Sequence, residues 1–283
     1  VMDSESGEVL ANFGGYLPRT SQYFDRSRLA LRPAGSTLKP WLYYLALNKG
    51  FEPDSILRND PGVNFPHSNG KFYYPDNFSN ESGSPRVSLE EALTRSINRA
   101  AVDVLLDDRF GPDPQQNLEE FLNFLVGIGV YDENIPMLPS SILGAYHLQV
   151  VDLASSFSFF SNGQHIAKPR FFKELRNGQG EQLYASQPTF QAVPYSQNRE
   201  NFQQLQNIMM KTANGGTAAR LREFTLTTMG LTDCSGAAVG FDGQICFGGK
   251  TGTSSDSKDN WFIGFSRRFV IGVWVGYDYP ESI

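Results

Sequence analysis

The sequence predicts an α+β fold: one mostly antiparallel sheet built from both chain ends, with helices packed on its faces. Three observations predict it. β-Branched and aromatic runs separated by short turns lie near both termini. Apolar residues spaced three and four apart dominate the middle. No internal repeat or low-complexity tract divides the 283 residues, which suit a single domain over 1–283.

The elements follow in order. Val1-Met2-Asp3 and Glu8 to Phe13 flank Ser4-Glu5-Ser6-Gly7, a turn-forming cluster, and read as a hairpin. From Ser36 to Leu47 the pattern is helical, with Leu38, Trp41, Leu42, Leu45 and Ala46 on one stripe and Gly50 suited to its end. Residues 51–87 are rich in Pro, Gly, Asn and Ser and predict a long surface excursion. Ser88-Leu89-Glu90-Glu91 reads as a capping box that opens a helix ending near Ser96. Ala100 to Leu106, Asn117 to Val126 with Glu120 at its third position, Val150 to Phe160 and Phe202 to Thr212 complete the helices. Ile245-Cys246-Phe247, Trp261 to Phe265 and Phe269 to Val275 are strand-like. The sheet is thus expected from about 1–15 and 244–276, and the helical region over about 36–225.

Composition narrows the class. Hydrophobic residues at 40% and charged residues at 19% exclude a wholly disordered chain. No run of 18 apolar residues occurs, and Arg267 and Arg268 interrupt the most apolar stretch. A net charge of −6 argues against a general nucleic-acid binder. The opening Val1, without a signal peptide, reads as the start of a fragment or mature piece of a longer protein. Cys234 and Cys246 fit no zinc spacing, and His67, His147 and His165 are scattered, so no metal site or cofactor is expected. A disulfide between the cysteines and a pair of free thiols both remain open.

Three short motifs carry chemistry. In Ser36-Thr37-Leu38-Lys39 the serine and lysine share one face at a helix start. The free N–H groups there favour an alkoxide and disfavour a protonated amine, which suits a nucleophile and its base. An N-capping serine beside an ordinary surface lysine fits the same spacing. Ser96-Ile97-Asn98 offers a hydroxyl for proton relay and an amide that can orient a substrate, or a plain polar helix end. Gly249-Lys250-Thr251-Gly252-Thr253 places a lysine between glycines and hydroxyls on a strand, a carboxylate-binding edge. A phosphate-binding loop would need glycine where Gln244 stands, and the segment continues as a strand.

Together, S-x-x-K, S-x-N and K-T-G in this order resemble the signature of penicillin-binding proteins and class A β-lactamases. Arg32 to Pro40, Gly215 to Arg220, Trp261 to Phe265 and Gly272 to Asp278 are similar to segments of class A penicillin-binding proteins, and the likeness runs from Gly7 to Asp278. The resemblance implies a penicilloyl-serine-transferase fold and a transpeptidase domain that cross-links peptidoglycan. It implies that Ser36 attacks the penultimate D-Ala of a stem peptide, Lys39 takes its proton, and Ser96 passes a proton to the leaving amine. Lys250 would hold Ser96 electrostatically, and Asn98 would orient the donor peptide. Thr251, Gly252 and Thr253 would bind the terminal carboxylate, with the backbone N–H groups of Ser36 and Thr253 as oxyanion hole. It also implies β-lactam inhibitors, a lipid-linked precursor as partner and an extracytoplasmic location at the periplasmic face of the inner membrane. An upstream glycosyltransferase domain, a membrane anchor and a helix after the last strand would complete the family pattern.

The middle motif is Ser-Ile-Asn, as in penicillin-binding proteins, and not the S-D-N of class A β-lactamases. Glu119-Glu120-Phe121-Leu122-Asn123 spells the E-x-x-L-N of those β-lactamases. It falls within an amphipathic pattern in which Phe121, Leu122 and Leu125 form a buried stripe. A D,D-carboxypeptidase would use the same residues with water as acceptor, and a non-catalytic β-lactam sensor or wall-binding module would keep the serine. No G-x-S-x-G supports a Ser-His-Asp hydrolase. Asn77-Phe78-Ser79 and Asn80-Glu81-Ser82 match the N-glycosylation pattern and read as loop polarity. Phe65, Phe72, Tyr73, Tyr74 and Phe78 are expected to anchor their loop on the domain surface, with a place beside a substrate cleft as the alternative.

Overall fold

The computed structural model describes residues 1–15, 24–67, 70–78, 83–221, 223, 247–279 and 281–283. In chain order its first elements are β1 (Met2–Asp3), α1 (Arg26–Leu29), β2 (Arg32–Pro33), α2 (Lys39–Asn48), β3 (Ile56–Arg58), β4 (Phe65–Pro66), β5 (Phe72–Tyr73) and β6 (Arg86–Ser88). Then come α3 (Leu89–Thr94), α4 (Asn98–Val104), α5 (Pro114–Gly127), β7 (His147–Leu148), α6 (Val150–Ser156) and α7 (Ser158–Asn162). β8 (His165–Ala167), β9 (Glu174–Arg176), β10 (Gln182–Ala185), β11 (Phe190–Ala192) and α8 (Arg199–Gly215) lead to β12 (Gly248–Thr253), β13 (Asp259–Phe265) and β14 (Phe269–Gly276).

The main sheet has the order β1-β14-β13-β12 and is antiparallel throughout, so the two chain ends meet in it. Met2 pairs with Val270, Trp261 with Trp274, and Lys250 with Ile263. One face of the sheet buries Trp261, Ile263, Phe265 and Val270 against the helices. The other face of β14 leaves Ile271, Val273 and Val275 exposed.

α2 is the pillar of the core. Every residue from Lys39 to Leu47 is buried, as expected of a helix apolar all round. Pro40 sits in its first turn, where a missing N–H costs nothing. Trp41 stacks on Phe159 with ring centroids 5.5 Å apart and meets Phe160 at 4.4 Å. α8 packs its Phe202, Leu205, Ile208 and Met209 stripe against α2, α3 and β12.

Several expectations need correction. The opening hairpin keeps its turn, with Asp3 N–H donating to Glu8 O at 2.9 Å, but its second arm is a single bridge at Val9. The helix expected from Asn117 begins at Pro114: Asp113 caps it by accepting from Gln115 and Gln116, and Pro114 takes the first turn. Asn117 is instead buried, donating to the carbonyls of Leu105 and Gly111. The excursion over 51–87 contains two ribbons, β3 with β6 and β4 with β5. The expected helical region is broken by the small antiparallel pairs β8–β11 and β9–β10, whose strands are short and, in β9 and β10, largely exposed. Their apolar residues therefore never build a two-residue period long enough to read. The start of the strand expected at Ile245, and both cysteines, lie outside the described residues.

Candidate active site

Ser36 lies in a single 3-10 turn, Gly35–Leu38, directly before α2, and Lys39 is the first residue of α2. The turn is fixed by Thr37 Oγ1 donating to Ala34 O at 2.7 Å and by Gly35 N–H donating to Gly144 O at 2.9 Å. Gly35 has φ +55°, a left-handed conformation that favours glycine. Ser36 itself is half-buried and faces a cleft of about 1350 Å³.

β12 runs against this turn at near-contact distance. A Cβ on Gly35 would lie 3.2 Å from the Thr253 nitrogen, and one on Gly252 would lie 2.7 Å from Ala34 O and from Thr37 Cγ2. The two glycines let the backbone of Thr253 come up beside the nucleophile turn, where two N–H groups can face one carbonyl oxygen.

The second motif occupies the junction of α3 and α4. Ser88 Oγ caps α3 by accepting from Glu91 N–H at 3.1 Å, while the Glu91 carboxylate turns to Arg95 instead of closing the box. α3 stops at Thr94, and Ser96 takes a left-handed backbone with φ 59°. This aims the serine at both lysines. Lys39 Nζ donates to Ser96 O and to Asn98 Oδ1, each at 2.6 Å, and lies 3.4 Å from Ser96 Oγ. Lys250 Nζ donates to Ser96 Oγ at 2.8 Å and to Thr251 O at 3.0 Å.

Both lysines are wholly buried, at 0% exposure. Burial, and then the charge of Lys250, holds Lys39 well below the usual lysine range. Burial brings Lys250 down to about 7. A neutral amine and an ammonium side by side can take one proton and deliver another, which is the requirement of a base and a relay.

All eight residues singled out in the sequence contribute to this region: Ser36, Lys39, Ser96, Asn98, Lys250, Thr251, Gly252 and Thr253. Sequence reasoning missed three others. Thr217, just beyond α8, meets Thr251 Oγ1 at 2.6 Å through its own hydroxyl and lines the cleft. Its place in the Gly215 to Arg220 segment was the available signal. Asp76 accepts from Asn98 Nδ2 at 2.5 Å through its carbonyl. Asn77 stands in a loop, as expected, and its side chain accepts from the N–H groups of Asn98 and Arg99, a task that the reading as loop polarity does not include. The second pattern-matching asparagine, Asn80, lies outside the described residues.

The aromatic loop divides. Phe65 is buried in the core, whereas Tyr73, Tyr74 and Phe78 line the cleft, so surface anchoring accounts for only part of it. Glu119 stands on the solvent face of α5, away from the cleft lining, and its neighbour Glu120 pairs with Lys49 at 2.8 Å. Among the described residues no group of three or more His, Cys, Asp or Glu is placed to hold a metal ion, and no helix is long and apolar enough to cross a membrane.

Known proteins share this arrangement of chain. The chain is 30% identical over 286 residues to penicillin-binding protein 1A of Neisseria flavescens, covering 100% of this chain and 32% of the relative. It is 32% identical over 283 residues to penicillin-binding protein 1A of Aquifex aeolicus, covering 100% and 34%. It thus spans about a third of the length of these relatives. The crystal structure of penicillin-binding protein 1A from Haemophilus influenzae superposes with a TM-score of 0.78 at 21% identity, covering 99% of this chain and 43% of that one, which places the fold among penicillin-binding proteins. The model of the penicillin binding protein transpeptidase domain matches residues 1–277, a span that takes in all three motifs, and the chain belongs to that family.

Proposed function

We propose that this domain is a peptidoglycan D,D-transpeptidase working through an acyl-serine intermediate. The observation that best supports it is the convergence of two fully buried lysines on Ser96, beside a serine that opens onto the cleft. In this reading neutral Lys39 takes the Ser36 proton as Ser36 Oγ attacks the carbonyl of the penultimate D-Ala. The N–H groups of Ser36 and Thr253 stabilise the oxyanion; losing one such donor costs ~3–4 kcal/mol. Ser96, held by Lys250, hands a proton to the nitrogen of the terminal D-Ala, which departs as the C–N bond breaks. Asn98 orients the donor peptide, and Thr251, Gly252 and Thr253 take its carboxylate. A stem-peptide amine then attacks the ester, forming the cross-link and returning Ser36 to its hydroxyl form. β-Lactams would acylate Ser36 in place of the stem peptide. The lipid-linked precursor as partner and the periplasmic face of the inner membrane as location belong to the same reading.

The β-lactamase reading is disfavoured because Glu119, its candidate deacylating base, lies outside the cleft lining. Two measurements test the proposal. Intact mass after penicillin treatment should show one lasting adduct that Ser36→Ala lacks. A stem pentapeptide supplied with an acceptor amine should yield free D-Ala and a cross-linked product. D-Ala release without cross-linking would identify a carboxypeptidase. A penicillin adduct with neither product would identify a sensor, and no adduct at all would overturn the nucleophile.

A further inference from the structure

An asparagine network in the cleft wall, Asn59, Asn77 and Asn98, joins the second motif to the loop that precedes it. α4 starts with Asn98, and its own cap residue, Ile97, has no side chain that can accept a hydrogen bond. The cap is supplied from a loop 21 residues earlier: Asn77 Oδ1 accepts from Asn98 N–H at 3.0 Å and from Arg99 N–H at 3.2 Å. The other end of the Asn77 amide is also used, with Nδ2 donating to Asn59 Oδ1 at 2.8 Å. Asn59 is buried and donates to Ser84 O at 3.0 Å, so the brace ends on the residues that flank the β3–β6 ribbon. The same ribbon grips the far part of α4, where Asp103 accepts from Arg58 N–H at 2.7 Å and Nε at 2.6 Å.

The consequence reaches the reacting groups. Asn98 Oδ1 accepts from Lys39, and its Nδ2 donates to Asp76 O, the carbonyl next to Asn77. Backbone and amide of Asn98 are therefore both set by residues 76 and 77. Asn98 in turn supplies one of the acceptors that fix Lys39 Nζ.

We propose that Asn77 is a positioning residue for acyl transfer: braced by Asn59, it holds Asn98 and, through it, the amine of Lys39 in the geometry needed for attack by Ser36. This rests on the acyl-serine reading. Asn77 lines the cleft, but its amide is taken up by Asn59, Asn98 and Arg99, so its effect should fall mainly on the acylation rate constant and only slightly on penicillin affinity.

The experiment is stopped-flow acylation of the folded domain by a fluorescent penicillin, resolving the rate constant at saturation from the dissociation constant. Asn77→Ala should lower the saturating rate by about a hundred-fold at nearly unchanged affinity, the scale of a small misplacement. Asn77→Asp keeps the accepting oxygen and should retain the rate to within about ten-fold. Asn59→Ala removes only the brace, and should lower the rate by about three- to ten-fold. This last variant carries the test if Asn77→Ala does not fold. Saturating rates within about two-fold of the parent in folded Asn77→Ala, or in Asn59→Ala, would overturn the proposal. A parent domain that penicillin does not acylate would overturn the acyl-serine reading itself, and this proposal with it.

Discussion

The ammonium of Lys250 donates to the hydroxyl of Ser96 at 2.8 Å, and Lys39 lies 3.4 Å from the same oxygen. Burial brings Lys250 to about 7 and pushes Lys39 well below the lysine range. Each buried amine therefore releases its proton more readily than a free lysine, and the charge of Lys250 favours release from Lys39. Acylation by penicillin should therefore rise as Lys39 becomes neutral and fall as Lys250 loses its charge, with the alkaline limb beginning at about pH 7. Lys250→Arg, whose charge is fixed, should carry that limb upward. An alkaline limb unmoved by the substitution would sink this assignment.

The same burial has a stability signature. Between about pH 7 and 10.5 the unfolded chain retains the Lys250 proton and the folded chain has released it. Stability should rise with pH through that window and decline as pH falls toward 7. At about 1.4 kcal/mol per pH unit, the upper limit is ~4–5 kcal/mol. Lys250→Met should be the more stable protein at pH 7 and should show a smaller rise, the part that the buried Lys39 contributes. Urea unfolding of both proteins at pH 7 and pH 9.5 gives the comparison.

Gly252 separates β12 from the nucleophile turn. A methyl there would meet Ala34 O and Thr37 Cγ2 at 2.7 Å. Gly252→Ala should cost ~1–3 kcal/mol of stability by overpacking. It should also slow acylation by about a hundred-fold or more, because the Thr253 N–H moves away from Ser36. Normal acylation by a folded variant would show that these two backbones need not be so close.

Asp259 ties the end of the β12–β13 hairpin to the strand before Ser36. Its buried carboxylate accepts from Ser254 Oγ at 2.8 Å and Trp274 Nε1 at 2.9 Å, and the Arg32 guanidinium lies 3.7 Å away. Arg32 also donates to the carbonyls of Tyr277 and Asp278. Asp259→Ala strands these donors and should cost ~3 kcal/mol or more, whereas Asp259→Asn should retain part of the loss. Chemical denaturation of both variants measures the difference.

Glu119 provides a negative control. Exposed on α5 and outside the cleft lining, Glu119→Gln should leave the lifetime of the penicilloyl adduct unchanged, followed by intact mass over hours. A longer lifetime in the variant would give Glu119 a role in deacylation.

Much of the site was legible because its chemistry sits in short local patterns. Ser36 and Lys39 are three residues apart on one turn, and the serine of Ser96-Ile97-Asn98 lies where a capped helix runs out. Asn77 was illegible for the opposite reason. Its role depends on a helix that starts 21 residues later, and nothing in Asn77-Phe78-Ser79 marks that distance. The termini predicted the sheet well, since β13 and β14 are long and rich in aromatic and β-branched residues. The start of α5 is harder to read: Asn117 has the chemistry of a cap, but Asp113-Pro114 is the stronger signal and Asn117 is occupied with the Leu105 and Gly111 carbonyls.

Ser96 keeps a φ of 59° without being glycine. For an L-residue such a backbone costs ~1 kcal/mol or more. Glycine would relieve that cost and remove the hydroxyl on which Lys39 and Lys250 converge. The fold therefore gives up part of its thermodynamic margin at a single dihedral in exchange for reactivity, and a screen for heat-resistant variants of this domain would be expected to recover Ser96→Gly as an inactive protein.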